Sequence, residues 1–107
     1  MALTLAVQEA PEEIRITLGG ELDAASAPQF KETVEKAALA KPKRLVLFMN
    51  QLAFMASAGL RVLIFAKQKM GPGVAIYIVG CQGPVQNTLE MSGFHQSVFV
   101  QSTYSPQ

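Results

Sequence analysis

The sequence predicts an α/β fold: a mixed β-sheet with an N-terminal antiparallel hairpin and helices packed on it, in the order β-β-α-β-α-β-α-β. Three observations predict it. Two segments near the start alternate apolar and polar residues, the two-residue period of half-buried strands. Two later runs, RLVLFM at 44–49 and VAIYIV at 74–79, are apolar without alternation, as suits strands buried on both faces. Stretches with helical spacing separate these runs, and strands alternating with helices imply right-handed parallel crossovers. The 107 residues suit one domain, 1–107. A chain of this size buries roughly two-thirds of its unfolded surface, enough for a core without staples.

The elements follow in order. Leu3, Leu5 and Val7 alternate with Thr4 and Ala6; Ile14, Ile16 and Leu18 alternate with Arg15 and Thr17. The polar turn EAPEE between them makes the pair an antiparallel hairpin. Gly19-Gly20 ends the second strand, and the loop GELDAAS follows. A helix is expected from about Ala27 to Ala40, with Ser26 as N-cap and Pro28 in the first turn, where its missing N–H costs nothing. Phe30, Val34 and Ala37 or Ala38 form its inward stripe; Lys31, Glu32, Glu35 and Lys36 lie mostly outside. Pro42 stops it. After the strand at 44–49, residues 50–56 cross to a second helix of about Ala58 to Met70, ended by GPG at 71–73. The strand at 74–79 leads to a third helix, roughly 84–92, opened by Pro84 and closed by Gly93 as a C-cap glycine. SVFV at 97–100 reads as a short last strand before the polar tail STYSPQ.

Composition narrows the function. Half the residues are hydrophobic, which argues against disorder. The net charge of +1 argues against electrostatic capture of nucleic acid or an anionic membrane. The start, MALTLAVQEAPEE, lacks a basic region followed by a long apolar core, and no uncharged run reaches the roughly 18–20 residues that span a bilayer. A soluble protein is expected. With Cys81 as its one cysteine no internal disulfide forms, which fits a reducing, cytoplasmic setting.

Enzyme signatures are sparse. No dinucleotide or phosphate-loop glycine pattern occurs, and GPGV at 71–74 reads as a helix-ending turn. Cys81 and His95 are the only residues of their types, so neither a metal cluster nor a nucleophile with an orienting partner is expected. Glu21 and Asp23 read as a polar loop, or as part of a binding surface. No cofactor is implied.

The informative segment is LAFMASAGLRVLIFAKQK around Ser57. Ser57 precedes a run of helix formers and is placed to cap the second helix. Its neighbours Ala56, Ala58 and Gly59 are small, which leaves the hydroxyl accessible and lets another backbone approach. A loop leaving a buried parallel strand is where α/β folds place their sites. A phosphate there would add about −1.5 to −2 charges beside the positive end of the helix dipole. The domain should tolerate that, whereas a partner pressed against the same surface should not. Arg61 and Gln68, seven apart, share the helix face that begins near Ser57.

At these residues the chain resembles the STAS domain family, whose bacterial single-domain members are anti-sigma factor antagonists. GELDAASAPQF at 20–30 resembles the family's loop and first helix. FMASAGLRVL at 54–63 resembles its phosphorylation segment, and TLEMSGFHQSVFV at 88–100 its third helix, Ser-Gly turn and last strand. The resemblance implies a partner switch rather than an enzyme. The unmodified antagonist holds an anti-sigma factor that is also a serine kinase; phosphorylation releases it, and a PP2C-type phosphatase restores it. Ser57 matches the acceptor, and Asp23 a loop acid near it. Asp23, Ser26, Ala56, Ser57, Ala58, Gly59 and Arg61 form the implied partner surface. The sequence departs from the family at three positions. Ala56 stands where an acid usually precedes the acceptor, Phe48 where an acid ends the preceding strand, and Ala58 where a second serine follows. The family's usual C-terminal helix is missing too, which would leave one face of the sheet less covered and open to self-association. The lost acids favour a second reading, an unswitched scaffold subunit of a transport or signalling complex.

Overall fold

The structure, a computed structural model, describes residues 2–105. Met1, Pro106 and Gln107, the ends of the expected domain 1–107 and of its tail, lie outside the described residues. The elements run β1 (Thr4–Ala10), β2 (Glu13–Leu22), α1 (Ala27–Leu39), β3 (Arg44–Met55), α2 (Ser57–Met70), β4 (Ala75–Val79), α3 (Gly83–Ser92), a 3₁₀ turn (Phe94–Gln96) and β5 (Phe99–Gln101). The expected order holds. One five-stranded sheet has the order β1-β2-β3-β4-β5, with β1 antiparallel to β2 and every later pair parallel.

That strand order sends successive right-handed crossovers the same way, which puts the helices on one face. The pleat shows the result. Ile14, Ile16 and Leu18, then Leu45, Leu47 and Met49, then Ile76 and Ile78 join Phe30, Val34, Leu63, Ala66, Val85 and Leu89 in one buried cluster. The alternate residues Val46, Tyr77 and Val79 face away, in a second cluster with Phe48, Ala75 and Tyr104. The unalternating runs are therefore buried on both faces as expected, but the second cover is the tail. Tyr104 meets the Phe48 and Tyr77 rings edge-on at 6.1 and 5.3 Å. The far face is thus partly closed where the sequence suggested it was open.

Both long strands outrun their expected ends. β2 does not stop at Gly19-Gly20 but continues to Leu22, and residues 50–55 are strand rather than crossover. Register shifts opposite Thr17–Gly19 and Gly20–Glu21 each place an extra residue on β3, which breaks its inward period to Met49, Leu52 and Met55 while its pairing with β2 persists. β2 keeps its period from Leu18 to Leu22, and there the Gly19-Gly20 pair reads as a stop. Gly20 sits at φ +84°, and a side chain there would strike the Ala2 carbonyl. The polar Asn50-Gln51 pair looks like a loop because this half of β3 pairs only with β2. β4 ends at Val79, opposite Phe48, and α3 lies against the remainder.

The hairpin turn is only Pro11-Glu12, since β1 extends to Ala10. Leu3 is buried as expected, but Leu5 is half-buried and Val7 exposed, because β1 is an outer strand at the margin of the helix layer. In α1 the stripe Phe30, Val34 and Ala37 is buried, joined by Ala27, while Ala38 is half-buried. The last strand begins at Phe99 rather than Ser97, because the 3₁₀ turn takes up Phe94–Gln96.

Candidate functional site

The site is built where β2 and β3 end. The backbone N–H of Ala56 donates to the Leu22 carbonyl at 2.8 Å, tying the start of α2 to the end of β2. The Gly59 and Leu60 N–H groups both donate to the Ala56 carbonyl, at 3.0 and 3.2 Å, closing the first turn. Ala56, not Ser57, is the N-cap residue, with extended backbone at φ −82°, ψ 171° and no side-chain cap. Ser57 is the first residue of the helix. The expectation that its hydroxyl caps α2 is therefore corrected: the side chain lies one position past the cap and is exposed. Among the described residues its hydroxyl makes no hydrogen bond, and the first-turn donors of α2 have no side-chain acceptor.

Gly59 has an internal task. A Cβ there would sit 2.6 and 2.7 Å from the Leu22 side chain and 3.0 Å from Met55. Its lack of a side chain seats the buried Gly59, and with it α2, on the core. Ala58 is half-buried and packs against the same core. Arg61, one turn beyond Ser57, and Gln68 are exposed on the outer face of α2.

Beside this helix start, the loop 23–26 is rigid for a visible reason. Asp23 accepts backbone N–H bonds from Ala25 and Ser26 on Oδ1, both at 3.1 Å, and the Ser26 hydroxyl bonds that same oxygen at 3.1 Å. The Ser26 hydroxyl shares its one proton between that carboxylate and the Glu21 carbonyl, also at 3.1 Å, and its oxygen accepts the Asp23 N–H at 3.0 Å. Ser26 stands at the N-cap position of α1, but its side chain reaches back into the loop and does not cap the helix. The Ser26 N–H and hydroxyl bonds hold the Asp23 carboxyl below its ordinary range, with the Ala25 N–H adding to them against a smaller opposing desolvation. Asp23 is therefore a fixed negative charge in the loop that follows Leu22, the residue that anchors α2.

Phe48 lies elsewhere. It is mid-strand on the far face against Tyr104, so its substitution for an acid does not bear on the local charge at Ser57. Sequence reasoning missed Leu22, whose carbonyl and side chain anchor α2, and Thr88. The Thr88 hydroxyl reaches the Met55 carbonyl at 3.4 Å and joins α3 to the same strand end. The apolar period across the two glycines would have pointed to Leu22; Thr88 left no signal. No group of three or more His, Cys, Asp or Glu placed to hold a metal occurs among the described residues. Burial pushes the Cys81 thiol up to about 11, the opposite of an activated nucleophile.

The STAS domain profile matches residues 4–105. The chain belongs to the STAS domain family. A curated relative, the anti-sigma-F factor antagonist RsfB of Mycobacterium tuberculosis, is 24% identical over 88 residues, covering 82% of this chain and 72% of the relative. Among solved structures, an anti-sigma factor antagonist from Mycobacterium paratuberculosis superposes with a TM-score of 0.87 at 21% identity, covering 95% of this chain and 87% of that one. SpoIIAA of Bacillus in its phosphorylated form gives a TM-score of 0.74 at 16% identity, covering 94% of this chain and 92% of that one. At these identities the likeness carries the fold. It also agrees with the element order β-β-α-β-α-β-α-β. Among the described residues of this STAS domain, no helix is long and apolar enough to cross a membrane.

Proposed function

We propose that this STAS domain is an anti-sigma factor antagonist switched by phosphorylation. Unphosphorylated, it binds an anti-sigma factor that is also a serine kinase; phosphate on Ser57 releases that partner, and a PP2C-type phosphatase resets the cycle. It regulates transcription indirectly from the cytoplasm, by binding rather than catalysis, and contacts neither nucleic acid nor lipid. The observation that carries this reading is Ser57 itself: an exposed, unbonded hydroxyl at the first residue of a helix anchored to the strand end that precedes Asp23. The names of the relatives support it, since RsfB and the M. paratuberculosis protein are both anti-sigma factor antagonists.

The mechanism is electrostatic. A phosphate on Ser57 sits at the positive end of α2, where the uncapped first-turn N–H groups favour an anion. Arg61 follows at i+4, the spacing that puts side chains on one helix face. The fold therefore accepts the group. A partner surface packed against Ser57, or acidic opposite it, meets a new volume and nearly two new charges and dissociates. The proposed partner surface is Asp23, Ser26, Ala56, Ser57, Ala58, Gly59 and Arg61, in which Gly59 also seats the helix on the core.

Incubation with the cognate kinase and ATP, followed by mass spectrometry, tests the acceptor. Phosphate is expected on Ser57 and absent in Ser57→Ala; phosphate that persists in that variant overturns it. Capture from the native host with wild type and Ser57→Asp tests the switch. The kinase is expected with wild type only. The lost acid at Ala56 favours the unswitched scaffold, and equal capture of a transport or signalling subunit by both proteins establishes that reading instead.

A further inference from the structure

The small net charge conceals a segregation. From Lys36 to Leu89 the chain holds no Asp or Glu, yet seven of its nine Lys and Arg residues fall there. Acids outside that segment answer three of them: Glu32 pairs with Lys36, Glu12 with Lys43 and Glu13 with Arg44. Among the described residues, Lys41, Lys67, Lys69 and Arg61 have no acidic partner. Two of these meet in a groove where α1 and α2 end. It has a volume of about 480 Å³ and is lined by the exposed Lys41, Lys43 and Lys69 and the half-buried Ala38, Met70 and Val74, with no acid. Glu9, Glu12 and Glu13 line the neighbouring groove on the hairpin side of Lys41 and Lys43, so the unanswered charge lies towards Lys69.

Lys41 is held there at a cost. Its φ is +50°, and no other non-glycine residue among those described has a positive φ. The position follows the end of α1, where glycine is the usual residue, and precedes Pro42, which favours extended backbone before it. A cation near a helix C-terminus is ordinary, because it complements the dipole. That accounts for Lys67 and Lys69 in the last turn of α2, but not for a lysine where glycine is the unstrained choice.

We propose that this groove binds an acidic segment of a protein partner, whose carboxylates meet Lys41 and Lys69 while an apolar side chain between them lies on Met70 and Val74. Charge complementarity selects an anion, and the lining selects among anions. No aromatic or arginine lines the groove, so nucleic-acid bases have nothing to stack on. A membrane-binding face inserts several large apolar side chains. At this end of α1 Leu39 alone is so exposed, at 80%, and it adds apolar area beside the cations for a peptide to cover. The groove lies at the last turn of the 14-residue α2, about 20 Å along the helix from Ser57. The partner is therefore held whatever the state of the switch.

The test titrates a synthetic peptide, Glu-Glu-Leu-Glu-Glu, into the full chain at low and high salt, with backbone amide resonances followed by NMR. Shifts are expected at Lys41, Lys69, Met70 and Val74, and affinity should fall as salt rises. Lys41→Gly and Lys69→Gln should each weaken binding about three- to fivefold. Lys41→Gly should also melt no lower than wild type, because glycine takes that backbone angle without strain. A peptide that does not bind overturns the proposal, whether or not phosphatidylglycerol vesicles or a single-stranded oligonucleotide bind in its place. So do affinity that is unchanged when both substitutions are combined, shifts centred on Arg61, and a Lys-Lys-Leu-Lys-Lys peptide that binds as well. None of these results depends on phosphorylation or on the kinase.

Discussion

At the scale of single residues, Ser57 and Gly59 divide what the small-residue run suggested. Ser57 is exposed; Gly59 is buried, because the space its side chain would need is filled by Leu22. Gly59→Ala should therefore destabilise the domain although alanine is the better helix former by about 1 kcal/mol. The new methyl would stand 2.6 Å from the Leu22 Cγ, and Leu22 is fully buried. A net loss of about 1–2 kcal/mol is expected from such overpacking, read as a lower urea midpoint with an unchanged slope. An unchanged or raised midpoint would mean that Leu22 yields freely and that the glycine is kept for another reason.

At the scale of the element, α2 starts without a side-chain cap. Its N-cap residue Ala56 has the extended backbone that a capping residue needs but no oxygen to offer. Ala56→Asp places a carboxylate there, where it accepts a first-turn N–H and meets the positive helix end. It should raise stability by about 1 kcal/mol, measured by urea unfolding of otherwise identical proteins. A null result would show that the first turn is already satisfied. The resemblance puts an acid at this position in other family members, so the loss at Ala56 trades helix stability for less negative charge beside Ser57.

At the scale of the whole molecule, one buried carboxylate joins the start of β2 to the tail. Glu13 is 5% exposed. It accepts the Tyr104 hydroxyl at 2.7 Å and the Arg44 Nε at 3.0 Å on one oxygen, and the Arg15 Nε on the other. Desolvation pushes its carboxyl up, but the bonds from Tyr104, Arg15 and Arg44 outweigh it and hold the group at about 2, against an ordinary value of 4.5. A folded value below the unfolded one adds stability that is whole above pH 4.5 and is lost as pH falls towards 2. Glu13→Gln should cost about 2 kcal/mol at neutral pH. Its deficit should shrink through that acid window and vanish at its lower end, by urea unfolding at a series of pH values. A deficit that stays constant with pH would show that packing, not charge, holds the tail.

The amphipathic period and the turn residues made the fold class legible, because local alternation and helix spacing report which face of each element is buried. Phe30, Val34 and Ala37 are where their spacing put them, and the Ser57 segment was legible because its small residues break a run of helix formers. The sequence by itself determined the order of elements and the type of each, and it singled out Ser57 at the start of α2. Only the tertiary structure decided where β2 and β3 end, since bulges erase the period of β3 and a glycine pair masks that of β2 while cross-strand pairing persists. It alone moved the cap of α2 from Ser57 to Ala56, because cap geometry depends on where Leu22 holds the chain. It alone turned Glu13 from a turn residue into a buried anchor for Tyr104. That contact joins residues 91 apart in sequence, and no local pattern records a partner so distant.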